Sequence, residues 1–553
     1  MDIKTVQGRV KYEGLSFLTI TLPTFGKEAQ KSLDQGYISH QQFNGFSFSQ
    51  RTGGLPRFLG GFLGLIFDRT SGVLLDDPDE VAILAVRQLT LMFGKIELPC
   101  SDARVRDAFV QFNQCEEDVR DSDSALSDKD LSDFLRLSDM LYASLFSRID
   151  RKVYLGEVTP KHGPGATADK LRGNSKYRQS RWPQRLEGIF PSGEFLLPNW
   201  RYYDQLATVD IHEPGAETPV KVVAVPKTLK TPRIIGVEPT AMQYAQQALL
   251  PEFLEELQGR RSPLTSSLLG FDDQEPNQHL ARVGSSDGSL ATLDMSEASD
   301  RVSNQLVRAM MRNHPHLLRA VDACRSRKAD VPGIGVLRLA KFASMGSALT
   351  FPIEAMVFLT MVLLGVERAL NTPLTYGKAV RLLRGRARIY GDDVIVPREY
   401  VHTVVQVLGT FGCVVNLDKS FWTGRFRESC GREYYNGHDV SISRVRRMFP
   451  TRRQDAQGVI SLVSLRNQLF EAGYYDTCEW LDGEVRKVIS HYPKVLPTSP
   501  VLGRHEFGQF DTEHYDRILH RPLVKGYVVS STPPEDPLDG EGALLKFFLK
   551  RGG

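Results

Sequence analysis

Apolar positions along the chain fall into a few blocks whose spacing separates helices from strands. VAILAVRQLTLMF, from Val81 to Phe93, predicts a helix, with Asp77 and Pro78 ahead of it as N-cap and first helical position. Ala355 to Val366, the longest apolar run, is too short to span a bilayer and predicts a buried helix; Val401 to Phe411 predicts another. Three stretches read as strands: VVAV before Pro226, SLATLD ending at Asp294, and ARIYGDDVIV around Asp392. Strands alternating with helices argue for an α/β or α+β core. Residues 150 to 220, rich in Gly, Pro and basic side chains, predict irregular structure, and STPPEDPLDGEG reads as a linker before the amphipathic ALLKFFLKR.

Length and composition narrow this picture. A chain of 553 residues exceeds the size of one growing core, so several subdomains in one body are expected. An apolar fraction of 41% and a charged fraction of 24% exclude collagen-like and disordered classes. The net charge of +3 does not itself point to nucleic acid, but basic residues cluster at Lys170 to Arg185, Lys221 to Arg233, Lys378 to Arg388 and Arg444 to Arg453. Each cluster taken alone is equally well a solvated face. An acidic run from Glu116 to Asp133 lies apart from all four in sequence. Six cysteines without CxxC spacing indicate neither zinc nor disulfides, and MDIKTVQGRVKYEG lacks the apolar core of a signal peptide. A reducing cytoplasm and no membrane are therefore expected.

Candidate chemistry centres on Tyr390-Gly391-Asp392-Asp393 between apolar, β-branched arms. That pattern predicts a hairpin presenting two adjacent carboxylates, with Gly391 allowing a turn a larger residue would resist. Hard oxygen donors suit Mg²⁺. The tetrad alone is also an ordinary turn; a third carboxylate, Asp294, at the end of SLATLD, makes a two-metal site a coherent reading. Ser299 and Asp300, just beyond, could hydrogen-bond a ribose 2′-hydroxyl, although Asp300 could equally cap the helix in VSNQLVRAMMRN. Lys227, Lys230 and Arg233 on a proline-flanked strand pair could grip a triphosphate or merely face solvent. Gly346, in the small-residue loop Ser344 to Ser347, could approach template or sugar, and Lys419 could donate a proton to departing pyrophosphate.

The order of VPKTLKTPRIIGVEP, DDQEPNQHLARVGSSDGSLATLDMSEASDRVS, SMGSALTFPIE, YGDDVIV and NLDKSFWTGRFRESCGREYYNGHDVS resembles the catalytic (beta) subunit of levivirus replicases, the RNA-directed RNA polymerases of positive-strand RNA bacteriophages. The resemblance spans Val225 to about Ser441. It implies an α+β right-hand polymerase: an N-terminal region and fingers over 1–240, a palm over 241–450 with a fingers insertion near 305–342, and a thumb and tail over 451–553. It also implies primer-independent RNA synthesis on an RNA template from NTPs, with two Mg²⁺ ions on Asp294, Asp392 and Asp393. By analogy Lys227 and Arg233 face the nucleotide phosphates, Gly346 belongs to the template and sugar loop, and Lys419 sits near pyrophosphate. Host elongation factors Tu and Ts, a ribosomal protein and the cytoplasm of an infected bacterium are the implied partners and location. SMGSALTFPIE departs from the MGNGYTFELE-like form of the group, and SEASD from SAASD; both departures touch the sugar loop and spare the metal ligands. The alternatives are a reverse transcriptase, which shares the paired aspartates, and a non-catalytic RNA-binding protein.

Overall fold

The computed structural model describes residues 2–49, 53–531, 536 and 540–551. Most of the linker STPPEDPLDGEG lies outside them. In the N-terminal part, helix α1 (Leu22–Gln35) leads to α2 (Glu80–Leu91), the helix predicted from VAILAVRQLTLMF. Its cap is Asp79 and not Asp77: the Asp79 carboxylate accepts from the Ala82 N–H at 2.8 Å, and Asp79 is the last residue with extended backbone before the helix. Two long helices, α3 (Asp102–Ala125) and α4 (Asp128–Tyr154), start on the caps Ser101 and Ser127. Beyond Tyr154, up to residue 219, the chain forms only short helical turns and three-residue strands, as its Gly and Pro content predicts.

The central part holds two four-stranded sheets. One orders β1 (Val220–Val225), β2 (Arg233–Val237), β4 (Lys328–Val331) and β5 (Gly335–Arg338) as β2-β1-β4-β5. The other is wholly antiparallel, β8-β3-β7-β6, built from β3 (Leu290–Ser296), β6 (Arg388–Tyr390), β7 (Asp393–Pro397) and β8 (Val414–Val415). All three predicted strands are therefore present. Around them lie α5 (Thr240–Gln258), α6 (Glu275–Asp287), α7 (Thr350–Leu370) and α8 (Val401–Thr410). Helices beside mainly antiparallel sheets make the architecture α+β.

Burial explains the arrangement. Helix α7 is buried on every side from Ile353 to Val366, as an all-apolar helix must be, and no helix among the described residues is long and apolar enough to cross a membrane. It packs with α4, α5, α8 and the inner faces of β3 and β7 in the main core, through residues such as Tyr142, Leu249, Met356, Val394 and Val404. A second core joins Phe17, Phe25, Leu63 and Val86 to Phe421, Phe426, Tyr435 and Val440, far downstream. Arg87 is buried there, its Nε donating to the Val440 carbonyl at 2.9 Å and its guanidinium 2.7 Å from Glu433. A third core forms between α9 (Ala456–Glu471) and α10 (Tyr475–Arg486). The amphipathic tail becomes α11 (Glu541–Arg551), which sinks Leu545 into the main core.

Candidate active site

Asp294 and Asp393 face one another directly in the β3–β7 ladder, and Asp392 precedes Asp393 at the tip of the β6–β7 hairpin. Gly391 makes that tip at φ +60°, and a Cβ there would stand 2.6 Å from the Phe351 ring. A left-handed turn pressed on an aromatic ring requires glycine. The sequence thus places three carboxylates at one edge of the sheet by pairing register alone. Asp392 reaches solvent while protein lies close around its carboxyl group. Burial, and next the charge of Asp294, raises the Asp392 pKa; burial and next Asp392 push Asp393 up to about 7. One Asp393 oxygen accepts from the Cys430 N–H at 3.1 Å.

Asp294 is differently served. Lys419 Nζ lies 3.1 and 3.2 Å from its two oxygens, and the Asn416 amide donates to Oδ2 at 3.1 Å. Burial alone would lower the Lys419 pKa, but Asp294 and Glu428 outweigh it and hold it above the ordinary value. Among the described residues no group of three His, Cys, Asp or Glu side chains converges as a ready-made metal site. The donor set nevertheless fits a hard divalent cation: oxygen donors only, on adjoining strands, with two acids held up by burial and a neighbouring aspartate's charge that a cation would relieve.

The β1–β2 hairpin carries Lys227 and Arg233 to this edge. Burial, then Lys419 and Arg233, lowers the Lys227 pKa, while Asp294 and Asp392 pull the other way, so the lysine stands within electrostatic reach of both aspartates. Gly346 ties the same hairpin to α7: its φ is +127°, a Cβ would meet the Gly236 carbonyl at 2.1 Å, and the neighbouring Met345 carbonyl accepts from the Gly236 N–H at 2.8 Å. Asp300 is not a helix cap. Ser303 caps, its hydroxyl accepting from Gln305 and Leu306, because it is the extended residue directly before the helix, whereas Asp300 lies within a 3-10 turn over Ala298–Arg301. Asp300 instead accepts from Lys341 Nζ at 2.8 Å, and Ser299 is buried beside it.

Four features escaped the sequence reading. Lys341, fully buried, also lies 3.1 Å from Glu116, so the acidic run on α3 meets the site segment in space; Asp118 likewise pairs with Arg301 at 3.1 Å. Glu354, near the start of α7, is buried and its pKa is raised well above normal by burial, then by Asp392 and Asp300. Helix α1 docks on the Lys419 loop, Lys31 Nζ donating to the Leu417 carbonyl at 2.8 Å. Lys27, one turn earlier, is thereby set near Lys419, and burial and that charge lower its pKa. Only Glu354, inside a quoted motif, carried any local signal.

Residues 204–470 match the family described as RNA replicase, beta-chain. The RNA-directed RNA polymerase beta chain of Escherichia phage MS2 is 38% identical over 219 residues, 40% of this chain and 36% of that protein. That of Enterobacteria phage fr is 31% identical over 305 residues, 55% of this chain and 49% of that protein. The RNA-directed RNA polymerase subunit beta of Escherichia virus Qbeta is 30% identical over 305 residues, with shares of 55% and 47%. The chain thus covers under half the length of each. Among solved structures, the BmCPV RNA-dependent RNA polymerase at elongation state superposes with a TM-score of 0.38 at 11% identity, over 64% of this chain and 33% of that one.

Proposed function

We propose, from the match of residues 204–470 to the RNA replicase beta-chain family, that this chain is a levivirus RNA-directed RNA polymerase that copies an RNA template by metal-assisted nucleotidyl transfer and starts without a primer. The observation that carries the reading is the register pairing of Asp294 with Asp393, Asp392 beside them, within the family-matched segment. The sheet β8-β3-β7-β6 with α7 and α8 serves as palm, the β1–β2 hairpin and the insertion near 305–342 as fingers, and α9–α10 as thumb.

Asp294, Asp392 and Asp393 would hold two Mg²⁺ ions. Bound there, such ions supply activation of the attacking 3′-oxygen and charge stabilisation at the leaving phosphate. The remaining work falls to side chains. Lys227 and Arg233 orient the triphosphate; their positive charge beside the cleft draws it in and holds it in line. Lys419, kept protonated by Asp294, has a proton at Nζ to give to the departing pyrophosphate. Asp300 and Ser299 read the ribose, and the loop at Gly346 shapes the floor beneath template and sugar. Elongation factors Tu and Ts and a ribosomal protein are the host partners this reading brings, in the bacterial cytoplasm.

A primer-free incorporation assay tests it: the purified chain, one RNA template, Mg²⁺, and either NTPs or dNTPs, with and without host extract. NTP incorporation that is template-dependent and lost with EDTA is expected. Incorporation of dNTPs alone would make the chain a reverse transcriptase, and RNA binding without incorporation in either mixture would make it a non-catalytic RNA-binding protein.

A further inference from the structure

We propose that Lys341 is a positioning residue for sugar choice: held between Glu116 and Phe112, it fixes the Asp300 carboxylate so that its second oxygen is left for a ribose 2′-hydroxyl. The proposal rests on the polymerase reading and adds to it a specificity determinant outside the nucleotide's reach.

Lys341 Nζ has three hydrogens, and three groups surround it. Asp300 Oδ1 is at 2.8 Å, Glu116 Oε1 at 3.1 Å, and the Phe112 ring centroid at 3.4 Å. The side chain is 0% exposed. An ammonium so placed is costly unless its partners are fixed, and here they are. Glu116 projects from the rigid α3, and its other oxygen accepts from the Ala340 N–H at 2.5 Å. Lys341 itself sits on a segment zipped to the one after Asp300: Phe342 N–H donates to the Val302 carbonyl at 2.7 Å and Asn304 N–H to the Ala340 carbonyl at 3.0 Å. From the other side Cys115 and Arg301 hold the turn, the Cys115 thiol 3.5 Å from the Asp300 carbonyl and Arg301 paired to Asp118 and Glu297.

The consequence for Asp300 is an asymmetry. Oδ1 is committed to Lys341, while Oδ2 takes no hydrogen bond from the described residues, and the side chain keeps 20% of its surface open. An acceptor held in one orientation, with one free oxygen directed to solvent a few residues past Asp294, suits a hydroxyl donor on the substrate. A carboxylate free to rotate would lose that preorganisation. A purely structural ion pair would leave sugar choice untouched.

The test is the ratio of kcat/KM for ATP to that for dATP, measured with the full chain on one RNA template. Lys341→Met is expected to lower the ratio about tenfold, matching Asp300→Ala, and the double variant should fall no further than Asp300→Ala alone. Lys341→Met combined with Glu116→Gln removes both charges of the buried pair, which spares folding, and should show the same tenfold loss. An unchanged ratio in either folded variant overturns the proposal, as does a wild-type chain that uses both sugars equally. A wild-type chain that incorporates no nucleotide even with host extract removes the polymerase reading itself, a result the variants are not needed to reveal.

Discussion

At the scale of single residues, the site is a balance of charge in a confined space. Three carboxylates and the lysines 27, 227 and 419 crowd one sheet edge, and the acids at 392 and 393 sit above their ordinary range because burial, and next the charge of Asp294 on Asp392 and of Asp392 on Asp393, oppose ionisation. Asp392→Asn keeps shape and size but deprives a cation of one anionic donor. Synthesis should fall at least about a hundredfold while RNA affinity in a filter-binding assay stays within about twofold. Near-normal synthesis by this variant would remove Asp392 from the ligand set. Lys227→Ala should raise the KM for NTPs by about tenfold and leave template affinity unchanged; the opposite split, tested by the same two assays, would assign Lys227 to the template.

Among elements, the loop at Gly346 is the joint between the β1–β2 hairpin and α7. Gly346→Ala would drive a Cβ into the Gly236 carbonyl and force a left-handed conformation on alanine. A loss of about 2 kcal/mol or more in urea unfolding is expected, with a further drop in activity as the hairpin carrying Lys227 separates from the sheet. Unfolding unchanged within about 0.5 kcal/mol would show that the joint yields freely. Local elements were largely legible beforehand. Alternating β-branched arms around Gly391 can form little but a hairpin, and an apolar run such as Ala355 to Val366 has nowhere to go but a core. What sequence could not show was partnership over distance. Asp300 looked like a cap because caps are local; its partner Lys341 is 41 positions on, and Glu116 lies 225 positions from that lysine. The basic clusters were ambiguous for the same reason. Lys176 turned out to be buried, donating to the Gly163 carbonyl at 2.7 Å, and Arg185 is paired with Glu217, whereas Lys227 stands near Asp294 and Asp392.

For the molecule as a whole, part of the acid response is set away from the three aspartates. His162 is half-buried with both ring nitrogens enclosed, stacked on Tyr244 with centroids 4.2 Å apart and edge-on to Tyr177 at 4.5 Å. Burial, then the charge of Lys176, lowers its pKa from 6.5 to about 3. A base with a depressed folded pKa leaves stability intact above 6.5 and erodes it as pH falls toward 3, because in that window the unfolded chain takes up a proton and the folded one does not. His162→Phe keeps the stack and removes the proton acceptor. Relative to wild type it should therefore gain about 2 kcal/mol between pH 6.5 and pH 5, read from urea midpoints at each pH. Parallel pH profiles for the two proteins would mean that His162 is already charged when folded.

The core shared by Phe25, Val86 and Phe421 also has a meaning in time. Arg87 and the carbonyl it holds at Val440 are 353 positions apart, and on a ribosome adding about 5–20 residues per second that interval lasts roughly 20 to 70 s. Through most of it, Phe17, Phe25 and Leu63 have been made but the downstream part of their core, Phe421, Phe426, Tyr435 and Val440, has not. Pulse-labelled nascent chains stopped before residue 421 should be cut by protease within the first 90 residues, and chains extended well past Val440 should resist; early resistance would show that the segment closes a core alone. The segment carrying Phe17 and Phe25 is thus made early and finished late, and the helix of Lys27 and Lys31 settles beside Lys419 only once the downstream strands have been made.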